Sequence, residues 1–161
     1  GATEVVAAVN FTAPIQTVIA GTKAGVDKAC ELLKAAGAKR ALPLPVSAPF
    51  HSSLMKPAAE KLRMALSDVV LAVPQIPVLN NVDVAVQQDA DAIRDALYRQ
   101  AFGAVRWVEC VQALKGRGIT HIIECGPGKV LAGLTKRIDP ELVGAALFDP
   151  ATLAETRELL A

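Results

Sequence analysis

Two short apolar runs, Ile119–Glu124 and Val143–Leu147, most sharply limit what this chain can fold into. Each precedes a segment with helical spacing, one running through Lys136–Arg137 and the other from Ala151 to Leu160. Strand, helix, strand, helix in that order predicts a parallel sheet with right-handed crossovers, and so an α/β fold. Upstream, the polar stretch Gln87–Asp91 leads into a helix ending near Gln100. A second helix follows Phe102–Gly103, carries Val105, Val108, Val111 and Leu114, and is stopped by Gly116 and Gly118.

The first part of the chain reads differently. Val5–Phe11 and Thr17–Ala20 are predicted strands, antiparallel because only a turn containing Pro14 separates them. Thr22 suits a helix cap, and Val26, Ala29, Cys30, Leu32 and Leu33 give the apolar face of a helix ended by Gly37. Lys39–Val46 is the next extended segment, and Val73–Val82 reads as a proline-interrupted strand ending in Asn80–Asn81. A strand at residue 5 without an earlier partner makes us expect that the protein's true start lies elsewhere.

Between these parts lies LPLPVSAPFHSSLM, Leu42 to Met55. Pro43, Pro45 and Pro49 push the residues before them towards extended conformations. Leu54, Ala58, Leu62, Ala65, Leu66 and Val69 then recur at helical spacing, with Ser52 or Ser53 where a cap belongs. His51 therefore stands at a helix mouth behind a stiff lead-in, a placement that suits a general base, although a lone histidine at a helix start is more often a capping or surface residue.

Composition narrows the function. The 161 residues are 52% apolar and 20% charged, enough to bury a core, and poor in aromatics. A formal charge of +1 gives no basic field for nucleic acid, and no basic amphipathic helix points to a membrane surface. No run of 18 apolar residues is present. Cys30, Cys110 and Cys125 are odd in number and far apart, which fits a reducing cytoplasm better than a disulfide framework or zinc site.

The turn Gly126–Lys129 (GPGK) sits between strand and helix, where an anion could meet a helix N-terminus. It matches neither the Walker A nor the dinucleotide spacing, Pro127 lacks an N–H, and a plain tight turn is the competing reading. Serines occur only at positions 47, 52, 53 and 67, none in a G-x-S-x-G elbow. Cys125, at a strand end, reads as a small buried apolar residue. His51 and His121 share no metal spacing, and His121, flanked by apolar residues, reads as structural. The chain offers a base without a nucleophile.

Val9–Gly21, Gly37–Leu62, Pro77–Asp83, Ala92–Gln100 and Ile122–Ile138 together resemble the C-terminal half of the malonyl-CoA:acyl carrier protein transacylase family of bacterial fatty-acid synthesis. In that family the other half supplies the serine elbow, an arginine for the malonyl carboxylate and the oxyanion-hole donors, none of which is present here. The resemblance implies that residues 1–46 are part of a ferredoxin-like α+β subdomain. Residues 47–161 would then be the C-terminal part of an α/β-hydrolase-like core.

It further implies that His51 is the catalytic histidine and that the backbone carbonyl of Gln100 orients it in place of an aspartate. Asn10 matches a position lining the acyl pocket, while Gln16, Lys39 and Arg40 match positions near the coenzyme A arm. No cofactor or metal is implied, because the coenzyme A thioester is a substrate. The implied partners are malonyl-CoA, acyl carrier protein and the missing N-terminal half, with neither nucleic acid nor membrane among them. Malonyl would pass to the carrier thiol through a seryl ester, and the 161-residue chain alone would be inactive. Two alternatives stay open: a phosphate- or nucleotide-binding α/β module using the GPGK turn, and a noncatalytic module docking an acidic carrier through Lys39, Arg40, Lys129, Lys136 and Arg137.

Overall fold

The structure, a computed structural model, describes residues 4–161. The chain divides into two units: one runs to Phe11 and from Thr17 to Arg106, the other comprises Thr12–Gln16 and Trp107–Ala161.

The first unit contains most of the hairpin β1 (Val6–Ala13) and β2 (Gln16–Gly21), followed by α1 (Lys23–Ala35). Thr22 caps α1 by accepting from the Gly25 N–H at 3.2 Å. At the other end Ala38 N–H donates to Leu33 O and Gly37 N–H to Lys34 O, the paired bonds of a Schellman stop. Helices α2 (Lys56–Ser67) and α3 (Ala90–Gln100) pack together, burying Ala59 completely and Ala96 almost so. Methyl-sized residues let two helices approach closely. Arg94 of α3 donates to the carbonyls of Leu66 and Val69, adding side-chain donors at the end of α2, where Leu66 O also accepts from the Val69 N–H.

Four sequence expectations fail here. Lys39–Val46 forms no strand, and Val73–Val82 contributes only an isolated antiparallel bridge between Leu79 and Val86. Prolines at 43, 45, 74 and 77 remove the N–H groups that a ladder needs. Ser52 caps nothing with its side chain: its hydroxyl donates back to Pro49 O at 2.7 Å, and a 3-10 turn, Ser53–Met55, precedes α2. The apolar face expected on α1 is open in its last turns, where Leu32 and Leu33 are exposed.

The second unit matches its sequence pattern closely. Helix α4 (Trp107–Gly116) leads to β3 (His121–Cys125), α5 (Val130–Ile138), β4 (Val143–Leu147) and α6 (Pro150–Leu159). Strands β3 and β4 are parallel, in register from His121↔Val143 to Cys125↔Leu147. Helix α5 lies on both strands, and Gly144 permits this, since a Cβ there would stand 2.4 Å from Ala132 O. Val111, Cys110, Leu134 and Leu142 form the core, and Lys115 ties the end of α4 to Asp139 at 2.6 Å. Cys125 departs from expectation: it is exposed, because it is the last residue of β3 and the chain turns away at Gly126.

The architecture is therefore mixed α/β with a small parallel sheet. Among the described residues no helix is long and apolar enough to cross a membrane.

Candidate active site

His51 is placed by its backbone. Its φ of +63° lies in the left-handed region, which a non-glycine residue occupies at a cost of about 1–2 kcal/mol. Pro49 holds the turn by accepting from both the N–H and the hydroxyl of Ser52, which is 1% exposed. The bend carries the imidazole to the end of α3, where Nδ1 lies 2.9 Å from the carbonyl oxygen of Gln100.

A helix end leaves carbonyls without helical donors. In α3, Tyr98 O accepts from Ala101 N–H and Arg99 O from Gly103 N–H, while Gln100 O takes the imidazole. A carbonyl only accepts, so Nδ1 must carry the proton, which leaves Nε2 of the neutral ring as an unprotonated acceptor.

Around the pair lies a pocket of about 170 Å³ lined by His51, Asn81, Gln100, Gly103, Ala104 and Val105. Asn10 reaches its border by pairing with Val105: Phe11 N–H donates to Val105 O, and Val105 N–H to Val9 O. The Oδ1 of Asn10 is buried without a hydrogen-bond partner among the described residues. Gln16, Lys39 and Arg40 are exposed and none lines this pocket. The structure thus places His51, Gln100 and Asn10 near one another, together with Asn81 and Gly103–Val105, which the sequence analysis did not single out. The Asn80–Asn81 pair and the Phe102–Gly103 break were their only visible signals.

One ionic clamp stands beside the site. Arg99 grips Asp83 through two bonds of 2.6 and 2.7 Å and also reaches Asp95. The guanidinium holds the Asp83 carboxyl below its ordinary 3.8, and the two carboxylates raise Arg99 further.

The GPGK turn has a different character. Glu124 accepts from the Ala132 N–H at 2.9 Å, so a carboxylate of the chain already occupies the first turn of α5. An open groove at the carboxyl ends of β3 and β4 has Asp149 as its sole charged lining residue. A phosphate there would meet negative charge at both places. Among the described residues no group of three or more His, Cys, Asp or Glu could hold a metal ion.

A mixed α/β chain with a histidine oriented by a helix-end carbonyl is one of several possible acid–base sites, and comparison with known proteins narrows the class. The chain is a homologue of bacterial acyl-transferring enzymes. It is 54% identical over 151 residues to the malonyl CoA-acyl carrier protein transacylase of Salmonella typhimurium, covering 94% of this chain and 49% of that protein. The crystal structure of an acyl-carrier-protein S-malonyltransferase from Burkholderia pseudomallei superposes with a TM-score of 0.94 at 68% identity, over 97% of this chain and 51% of that one. A malonyl-transacylase solved in complex with a type II PKS acyl-carrier protein matches with the same TM-score at 51% identity, covering 97% of this chain and 50% of its own. The chain spans about half the length of the curated relatives it matches and corresponds to their C-terminal half. No protein-family model matches it.

Proposed function

We propose that this chain supplies the histidine base for malonyl transfer from coenzyme A to the thiol of acyl carrier protein, with the serine nucleophile coming from a partner half. The observation that carries the reading is the 2.9 Å contact between His51 Nδ1 and Gln100 O at the border of a small pocket. It leaves Nε2 as the proton acceptor. The names of the relatives supply the substrates.

In the first half-reaction Nε2 takes the serine proton as the oxygen attacks the malonyl thioester. The imidazolium then returns that proton to the departing coenzyme A sulfur. In the second, the carrier thiol gives its proton to Nε2 and attacks the seryl ester, and the proton goes back to the serine oxygen. A volume of about 170 Å³ is small beside the usual 300–1,000 Å³ ligand pocket, which suits an acyl group with the coenzyme arm outside. Asn10 would border that acyl group, and Gln16, Lys39 and Arg40 would meet the arm. No cofactor enters this scheme.

On the same reading, residues 1–46 are part of a ferredoxin-like subdomain, and 47–161 the C-terminal part of a hydrolase-like core. The absent half would cover apolar side chains such as Leu42, Val46 and Ile76, which are 63–79% exposed. Cysteines at 30, 110 and 125 that form no disulfide suit a cytoplasmic setting.

The docking alternative assigns Lys39, Arg40, Lys129, Lys136 and Arg137 to an acidic carrier, but it gives His51 no task. The phosphate alternative is opposed by Glu124. The deciding experiment joins this chain to a half bearing the serine and assays malonyl transfer with and without His51→Ala. A loss of roughly 10²–10⁴-fold is expected, and unchanged turnover would remove His51 from the mechanism.

A further inference from the structure

A backbone carbonyl orients the imidazole, and every residue has one, so the His51 contact alone gives no reason for glutamine at position 100. The side chain gives one. Gln100 Oε1 accepts from the Asn81 N–H at 2.9 Å, while Asn81 O accepts from the Arg106 N–H at 3.2 Å. Residue 81 is thereby tied to both ends of the turn 101–106, which forms the pocket wall.

The segment carrying Asn81 is itself tightly fixed. Asp83 N–H donates to Asn80 Oδ1, Asn80 Nδ2 donates to Ala85 O, and Val84 is bent to a φ of +58°. A β-branched residue in that region is a strained outlier, which persists where surrounding bonds over-determine it. Asp83 then fastens the loop to α3 through its two bonds to Arg99, one residue before Gln100. Gly103 lets the wall close, since a Cβ there would lie 2.7 Å from Val82 Cγ2 and 2.8 Å from Arg99 O.

We propose that Gln100 is a positioning residue through its side chain as well as its carbonyl: the Oε1–Asn81 bond fixes the last residue of α3 so that its carbonyl meets His51 Nδ1 and sets the ring's tautomer. The catalytic consequence rests on the function proposed above, but the geometric one does not. This makes the two separable.

The test uses nitrogen-15 NMR on the 161-residue chain, whose two histidines can be told apart. His121, hydrogen-bonded to Thr120, serves as the internal reference. The unmodified protein is expected to show His51 as the Nδ1–H tautomer and a protected Asn81 amide. An Asn81 amide that exchanges like an open loop overturns the proposal without any variant. Gln100→Met keeps the length and removes the acceptor, so His51 should shift towards mixed tautomers while His121 and the α3 amides hold. Gln100→Glu restores an acceptor and should restore the Nδ1–H form. Equal behaviour of the two variants, both parent-like or both disordered at His51, contradicts the assignment.

In a joined, active protein, Gln100→Met should lower kcat about tenfold with KM for malonyl-CoA nearly constant, part of the 10²–10⁴-fold that a general base supplies. Gln100→Glu should recover most of that loss. Inactivity of the parent would refute the proposed function, while the tautomer result would still decide the positioning role.

Discussion

His51 Nδ1 and the carbonyl oxygen of Gln100 meet at 2.9 Å although 49 residues separate them along the chain. The contact joins the residue that opens the run into α2 to the residue that closes α3. The packing of those two helices therefore governs it. A carbonyl can fix a tautomer, but it stabilises an imidazolium less than a carboxylate would.

The isolated chain should hold no acyl group. Incubation with malonyl-CoA followed by intact-mass measurement should show the unmodified protein, because the proposed mechanism places the acylated hydroxyl on another segment. A malonyl adduct on any residue of this chain would contradict that scheme.

Gly103→Ala should destabilise the first unit. The added methyl meets a stiff valine side chain and a backbone oxygen, both inside 3.0 Å, and overpacking of this kind costs about 1–3 kcal/mol. Urea denaturation followed by circular dichroism should show a lower midpoint, and a midpoint equal to the parent's would mean that the turn has room to move.

Asp83 makes a pH prediction with a definite sign. Its carboxyl, held low chiefly by Arg99, titrates lower in the folded protein than in the unfolded chain. The stabilisation is thus fully present above the ordinary carboxylate range and is lost as pH falls through the folded value. Denaturation midpoints of Asp83→Asn and the parent should differ most near neutrality and converge under acid. A gap that stays constant with pH would show that the charge is not the cause.

Glu124→Ala should cost about 1 kcal/mol, the usual scale for removing a side chain that accepts from a helix's first turn. Inorganic phosphate added to the unmodified protein should leave the amide resonances of residues 126–132 in place. Saturable shifts there would revive an anion site at the GPGK turn.

How far the sequence could be read depended on how local each signal was. Strand β4 matches its apolar run residue for residue, and α3 begins behind Asp89, whose side chain caps it through the Ala92 N–H. Such features depend on neighbours within a few residues. His51 was visible through its proline lead-in, but its left-handed φ was not, because the bonds to Pro49 that fix it come from Ser52. The Gln100–Asn81 and Arg99–Asp83 bonds join residues 19 and 16 apart across a loop without periodicity, so no pattern announced them. Val73–Val82 has strand composition without a ladder, since composition records preference and says nothing of a partner.

Ala59 on α2 and Ala96 on α3, both buried, set a gauge for the whole imidazole site. Small buried side chains on both helices let α2 and α3 pack together, and His51 and Gln100 stand at the start of one and the end of the other. A bulkier residue at either alanine would wedge the helices apart and lengthen the His51–Gln100 bond without touching either partner. The placement of the imidazole thus depends in part on two of the smallest side chains in the fold.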